Sequence, residues 1–368
     1  MEDYSLIIIG VSIFVAAIIG ARSGIATALL EIFAGLIVGA FFVFELSEFV
    51  IVMAELGLIT LMFMAGLEVD FRFLNEKAKE SVSVGVVSYL VPLVVITVSV
   101  FLIFQLDWYQ SFLFGIALAT SSIGIIYPIL RKKGPLGPRR KMILSAVMVM
   151  DFLSMILLGI FYSDVSWKVV IVLIFVVVVG LVLPKIKKLA SFFSESSHDS
   201  MAIKMILALL IISQFMAGVS GLDVILIVFV LGMFLADFVR THESLKEEIE
   251  TIGFGFLTPI FFFTVGMSIS VTELFHAGWK LVLLLGISFV ATYIVTYLIA
   301  KKHFPRRAHV MAVLFNAPLT VGIVIATVGH DTGVIDDVSY GVLVGTVVIS
   351  SFIAAFFGRY PSSSKKKA

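Results

Sequence analysis

The chain contains no cysteine. That excludes a disulfide, a thiolate metal site and a cysteine nucleophile. Charge is scarce too: only 14% of the 368 residues are Asp, Glu, Lys or Arg. A soluble domain carries about 25%. With a 60% apolar composition and a mean hydropathy of +1.15, a soluble globular fold is excluded. No apolar run has a lysine or arginine near its middle, which disfavours a carrier of anions or organic solutes. No glycine-rich phosphate cradle or nucleophile–base constellation is present, so an enzyme is not expected. No repeated filter-like stretch supports a channel. No nucleic-acid partner is expected. No loop is long enough for a soluble domain. What remains is an all-α polytopic membrane protein.

Apolar runs of spanning length fall at 5–22, 25–43, 49–67, 81–104, 110–130, 140–162, 167–184, 201–219, 221–238, 254–270, 274–300, 308–329 and 337–358, thirteen in all. Each approaches the ~20 residues that cross a ~30 Å hydrocarbon layer. With thirteen spans, alternate sides sort the basic residues. Arg22, Arg72, Lys77, Arg139 to Lys141, Lys185, Lys204, Arg240, Lys301, Arg307 and Lys365 to Lys367 fall together. Only Lys168 and Lys280 fall opposite. The positive-inside rule then puts the C-terminus in the cytoplasm and the N-terminus outside, in a cell membrane. The N-terminus, Met-Glu-Asp-Tyr, lacks a basic leader region, so 5–22 is expected to be a retained span. Ser191 to Ser200 reads as a flexible connector, and Thr241 to Glu250 as a short helix lying at the surface. The lysines of the tail, which is expected to be disordered, suit anionic lipid.

One carboxylate interrupts the run 140–162. Asp151 lies 11 residues after Arg140, roughly 16 Å along a helix and so near the bilayer midplane. A carboxylate there costs about 2.5–3.5 kcal/mol by insertion scales. It reads as an ion or proton site, with a structural hydrogen-bonded Asp as the alternative.

Two spans carry the means to break. One holds Ala119-Thr120-Ser121-Ser122-Ile123-Gly124 and Pro128. The other holds Asn316-Ala317-Pro318-Leu319-Thr320. Proline removes a backbone donor, and small hydroxyl residues can satisfy what it frees. Phe63-x-x-Gly66 and Phe263-x-x-Gly266 share a frame, seven spans apart and therefore inverted. Two inverted five-helix repeats follow, spans 2–6 and 9–13, with both breakable spans fourth in their repeat. Such pairs are the sequence mark of a transport site.

These residues have a familiar order. Glu55-Leu-Gly57 through Glu68-Val-Asp70, and Leu257-Thr-Pro259 through Gly266-Met-Ser268, resemble the third- and tenth-span signatures of the cation:proton antiporter-2 family, within the sodium/proton exchanger superfamily. Ala119-Thr-Ser-Ser122 and Asp151 fall where that family has its crossover helix and cation-binding aspartate. The resemblance implies the Na+/H+ antiporter fold with discontinuous crossing helices. It implies a homodimer, with dimerisation segments 1–75 and 201–272 and core transport segments 76–165 and 273–358. A linker at 166–200 and a tail at 359–368 complete the chain. It also implies elevator-like alternating access. Many electrogenic relatives carry two adjacent acids and a mid-span lysine; here those places hold Met150 and the stretch Phe289 to Tyr293. The cytosolic nucleotide-binding domain of glutathione-gated relatives is not expected. The implied activity is electroneutral 1:1 exchange of Na+ for H+ at Asp151, which would be the metal ligand, with no other cofactor. K+ or Li+ in place of Na+ stays open. Ser154, Thr120 and Ser121 would add oxygens. Ser122, Gly124, Pro128, Asn316, Pro318 and Thr320 would support the crossing. Glu68 and Asp70 form a structural pair or a cation funnel. Glu31 is expected to bond a neighbouring helix, Gln214 to be packed, and the six histidines to sit at span ends or in loops.

Overall fold

The computed structural model describes residues 2–23, 25–42, 46–68, 78–131, 138–162, 201–220, 224–303, 305 and 307–358. All regular structure among them is helical. The chain opens with α1 (Glu2–Ser23), α2 (Thr27–Phe41) and α3 (Glu48–Glu68). Then come α4 (Ala78–Phe104), the short pair α5 (Trp108–Ala119) and α6 (Ile123–Arg131), and α7 (Pro138–Tyr162). Next are α8 (Met201–Ser220), α9 (Val224–Thr241) and α10 (Glu243–Ile252). A π turn at Gly253–Leu257 carries α10 into α11 (Thr258–Met267). The last helices are α12 (Val271–His276), α13 (Gly278–His303), α14 (Ala308–Leu314), α15 (Leu319–Asp331) and α16 (Asp337–Phe357). Among the described residues nine helical stretches are long and apolar enough to cross a membrane. The protein is an all-α, multi-pass membrane protein.

The structure departs from the sequence reading in one polar segment. The expected short helix is present as Glu243–Ile252 and mostly exposed, but it does not end as a separate element. Its Leu245 and Ile249 are buried, and it continues through the π turn into α11. Gly253, Gly255 and Pro259 explain the turn, because glycine loosens a helix and proline leaves a carbonyl without its donor. The expected span at 167–184, the connector 191–200, the tail from 359, and Asp70 all lie outside the described residues.

The chain divides into two compact units. One comprises 1–18, 30–70 and 155–267, the other 19–29, 71–154 and 268–368. In the first unit α3 lies along α9. Lipid gives helices no hydrophobic reason to associate, so close backbone approach has to do it. Gly66 of α3 meets the Phe229 carbonyl, and Gly232 of α9 meets the Phe63 carbonyl. A Cβ at either place would collide with that oxygen. Gly66→Val is therefore expected to push α3 and α9 apart at a cost of about 1–3 kcal/mol or more. A lower melting temperature of the detergent-solubilised protein checks this. Arg240 closes the same contact by donating from Nη2 to the Leu67 carbonyl at 3.2 Å.

In the second unit α4, α5 and α13 pack together, α14 and α16 lie against α13, and α15 lies against α5 and α16. Asp336 caps α16, its Oδ1 accepting the Ser339 N–H at 2.8 Å. Partial burial alone would raise the Asp336 pKa. The hydrogen bonds from Ser339 and the charge of Lys280 outweigh it and hold the carboxyl below the ordinary carboxylate value. A depressed pKa means the cap stabilises fully above the ordinary value and is lost as pH falls through the depressed one. Asp336→Ala is expected to cost about 1 kcal/mol at neutral pH. Melting curves of the two proteins should converge in acid.

Candidate functional site

Asp151 lies in the middle of α7 and is only 6% exposed. The group that meets it comes from the end of α5. Thr120 follows the last helical residue with extended backbone, φ −78° and ψ 177°. Its hydroxyl donates to Asp151 Oδ1 at 2.9 Å. Ser154, one turn along α7, donates to the Asp151 backbone carbonyl at 2.8 Å. Its Oγ stands 3.5 Å from Thr120 Oγ1. Small hydroxyl residues compete with the helix for backbone groups, and Thr120 to Ser122 are non-helical together.

A second break faces the first. Pro318 cannot donate to the Leu314 carbonyl, so α14 ends there and α15 starts afresh. Ser121 Oγ lies 3.5 Å from that freed carbonyl. The Ser122 N–H donates to the Ala317 carbonyl at 2.7 Å. Ser122 Oγ and Thr320 Oγ1 stand 2.5 Å apart. Asn316 Nδ2 donates to the Ala312 carbonyl at 2.7 Å, and Ser350 of α16 donates to the Asn316 carbonyl at 2.7 Å. Each interruption thus supplies partners for the other. That is what a membrane requires, because irregular backbone survives at depth only inside protein. Gly322 permits the approach, since a Cβ there would come within 2.9 Å of the Ala117 carbonyl.

Thr120, Ser121, Ser122, Asn316, Pro318 and Thr320 are therefore gathered at two facing breaks, with Asp151 and Ser154 alongside. Gly124 and Pro128 are not at the break. Both lie inside α6, so the first interruption is made without its proline. Glu68 ends α3 in the other unit, where Lys246 and Glu250 of α10 are its electrostatic neighbours. Glu31 is buried in α2 at 4% exposure. Gln214 is not packed inward: it lies on the exposed face of α8 with Ile211 and Phe215. Of the histidines, His242 has Nδ1 2.8 Å from the Phe238 carbonyl. His309 Nδ1 is 2.6 Å from Tyr293 Oη, and His330 Nε2 is 2.7 Å from Asp337 Oδ1. The sequence reading missed Ser350. The adjacent hydroxyls Ser350-Ser351 in an apolar run were the available signal.

The groups gathered at Asp151 are oxygens: its carboxylate, the Thr120 and Ser154 hydroxyls and its own backbone carbonyl. Such a set suits a hard cation, and a lone carboxylate holds a proton equally well. A family model described as the transmembrane sodium/hydrogen exchanger matches residues 10–359. The chain belongs to the sodium/hydrogen exchanger family. The exchanger is 28% identical over 339 residues to the "Probable Na(+)/H(+) antiporter 3" of Methanocaldococcus jannaschii, covering 87% of this chain and 86% of that one. It is 24% identical over 379 residues to the "Na(+)/H(+)-K(+) antiporter GerN" of Bacillus cereus, covering 99% and 97%. Its fold matches the solved sodium proton antiporter MjNhaP1 of Methanocaldococcus jannaschii with a TM-score of 0.72 at 18% identity, over 98% of each chain. The resemblance read from the third- and tenth-span signatures thus holds for the family and for the fold.

Proposed function

We propose that this protein is a secondary active Na+/H+ antiporter in which Na+ and H+ compete for Asp151, one for one and without net charge movement. The carrying observation is a 6%-exposed carboxylate, hydrogen-bonded by Thr120, beside two helix breaks that complete each other. Desolvation disfavours the empty, charged Asp151, so the mobile part crosses only when a proton or a cation neutralises it. That penalty couples the two fluxes. Thr120 and Ser154 hydroxyls, with carbonyls freed at the breaks, are the further ion oxygens. Ser121, Ser122, Asn316, Pro318 and Thr320 brace the crossing. Glu68, with Asp70, is assigned to an entry funnel on the cytoplasmic side.

The same reading makes 76–165 and 273–358 the moving core, and 1–75 and 201–272 the dimerisation part, related by inverted repeats. Glycine packing supports the repeats. Gly66 of span 3 meets span 9, while Gly266 of span 10 meets the Ile32 carbonyl of span 2. Those two pairs exchange under an inverted repeat. A homodimer is supported by Gln214 on an exposed apolar face, since an amide facing lipid is unfavourable. Relatives named for Na+ put Na+ first. The relative named for Na+ and K+ supports K+/H+ exchange as a second reading.

The test is purified protein in vesicles with an imposed pH gradient. Na+ is expected to dissipate the gradient, with Li+ and K+ compared beside it, and a potential-sensitive dye is expected to stay silent. A potential generated by transport removes the one-for-one claim. K+ acting alone replaces Na+ as the cargo. The apparent Na+ KM is expected to fall as pH rises, because fewer protons compete, while the maximal rate holds.

A further inference from the structure

Tyr89 of α4 was not singled out by any sequence signal. It is fully buried, and its hydroxyl has no hydrogen-bond partner among the described residues. The position is fixed by its neighbour one turn back. A Cβ at Gly85 would come within 2.6 Å of the Ala146 carbonyl and 2.8 Å of Val149 Cβ. The absence of a side chain there lets α4 run against α7. One turn onward along α4, Tyr89 lies level with the turn of α7 that follows Val149 and carries Asp151. Both residues belong to the same compact unit.

An unpartnered buried phenol differs from an unpartnered serine or threonine. Small hydroxyls bond their own helix, as Ser145 does to the Lys141 carbonyl at 3.0 Å and Thr346 to the Val342 carbonyl at 2.7 Å. A phenol stands too far from its own turn to do this. Phenylalanine would fill the same space without burying a polar group. The hydroxyl therefore needs a partner that arrives during function, and the carboxylate beside it is an acceptor.

We infer that Tyr89 is a positioning residue of the exchange site, its phenol donating a hydrogen bond to the Asp151 carboxylate whenever that carboxylate holds neither cation nor proton. The inference rests on the reading of Asp151 as the exchange site. A hydrogen bond made only by the empty carboxylate competes with cation binding. It loosens the hold on Na+ and speeds its release.

Removing the hydroxyl should do the reverse. In vesicles at a fixed alkaline pH, Tyr89→Phe is expected to lower the Na+ KM about tenfold. The maximal rate should fall about threefold, because tighter binding acts mainly through slower release. Thermal melting of the purified variant against Na+ concentration gives a second readout. The midpoint of Na+ stabilisation should move to about tenfold lower concentration. An unchanged KM and midpoint leave Tyr89 as packing alone and overturn the inference. A raised KM makes the phenol an ion ligand and overturns it as well. Asp151→Asn run alongside separates the two levels. If Asp151→Asn still exchanges Na+ for protons, the exchange-site reading fails first. If it is inactive while Tyr89→Phe matches wild type, only the present inference fails.

Discussion

Asp151→Asn is expected to reduce Na+-driven proton movement about a hundredfold or more while leaving the protein folded. The amide fills the same volume, and its oxygen can still accept from the Thr120 hydroxyl, now 2.9 Å from Oδ1. What disappears is the charge. A neutral amide can neither take up a proton nor give a cation a counter-charge, so nothing couples the two fluxes. Burying a charge at depth is unfavourable, and burying an amide is less so. The variant should therefore melt at the same temperature as wild type, or higher. Its melting temperature should no longer respond to Na+. In wild type, a ligand at a hundred times its Kd adds about 2.7 kcal/mol. Loss of transport together with loss of folded protein makes Asp151 a structural residue. Retained transport moves the exchange site elsewhere. Only an inactive, stable, Na+-blind protein fits a carboxylate that must be occupied to cross.

The membrane class was legible because composition acts on the whole chain. Charge scarcity and apolar runs do not depend on any contact. Asp151 was legible for the same reason, since one acid in an apolar run stands out without a fold. Pro318 was legible because a missing N–H ends a helix wherever it falls. The first break was harder. Pro128 pointed to it, yet α6 runs through Pro128 and the break sits at Thr120 to Ser122. It forms there because the Ala317 carbonyl offers the Ser122 N–H a partner, and that partner lies across the fold. Tyr89 was illegible for a related reason. In a helix that is apolar all round, sequence does not say which face meets protein and which meets lipid. Gln214 shows the same gap from the polar side, since the sequence suggests packing but not the helix face, and it lies on the exposed face of α8. The joined helices α10 and α11 were hidden by charge, because Lys246 to Glu250 reads as a surface segment until the π turn connects it.

Thr120→Val is expected to raise the Na+ KM about tenfold or more, with a smaller effect on the maximal rate. Valine copies the shape of threonine, so the end of α5 keeps its packing, and what is lost is one oxygen. That oxygen serves twice in the proposed cycle. It donates to Asp151 Oδ1 at 2.9 Å, and in that cycle it would give a lone pair to the cation. Losing an ion ligand weakens cation binding. Losing a donor to the empty carboxylate strengthens it. The ligand is the larger loss, because a desolvated Na+ needs several oxygens and the site has few, whereas Tyr89 remains as a second donor. Thr120→Val and Tyr89→Phe should therefore shift the KM in opposite directions, a pattern that general damage to the site does not produce. Thr120→Ser, which keeps the oxygen, should restore the KM to within about threefold of wild type. If both variants lower the KM, Thr120 is only a donor, and the cation takes its oxygens from the carbonyls freed at the two breaks.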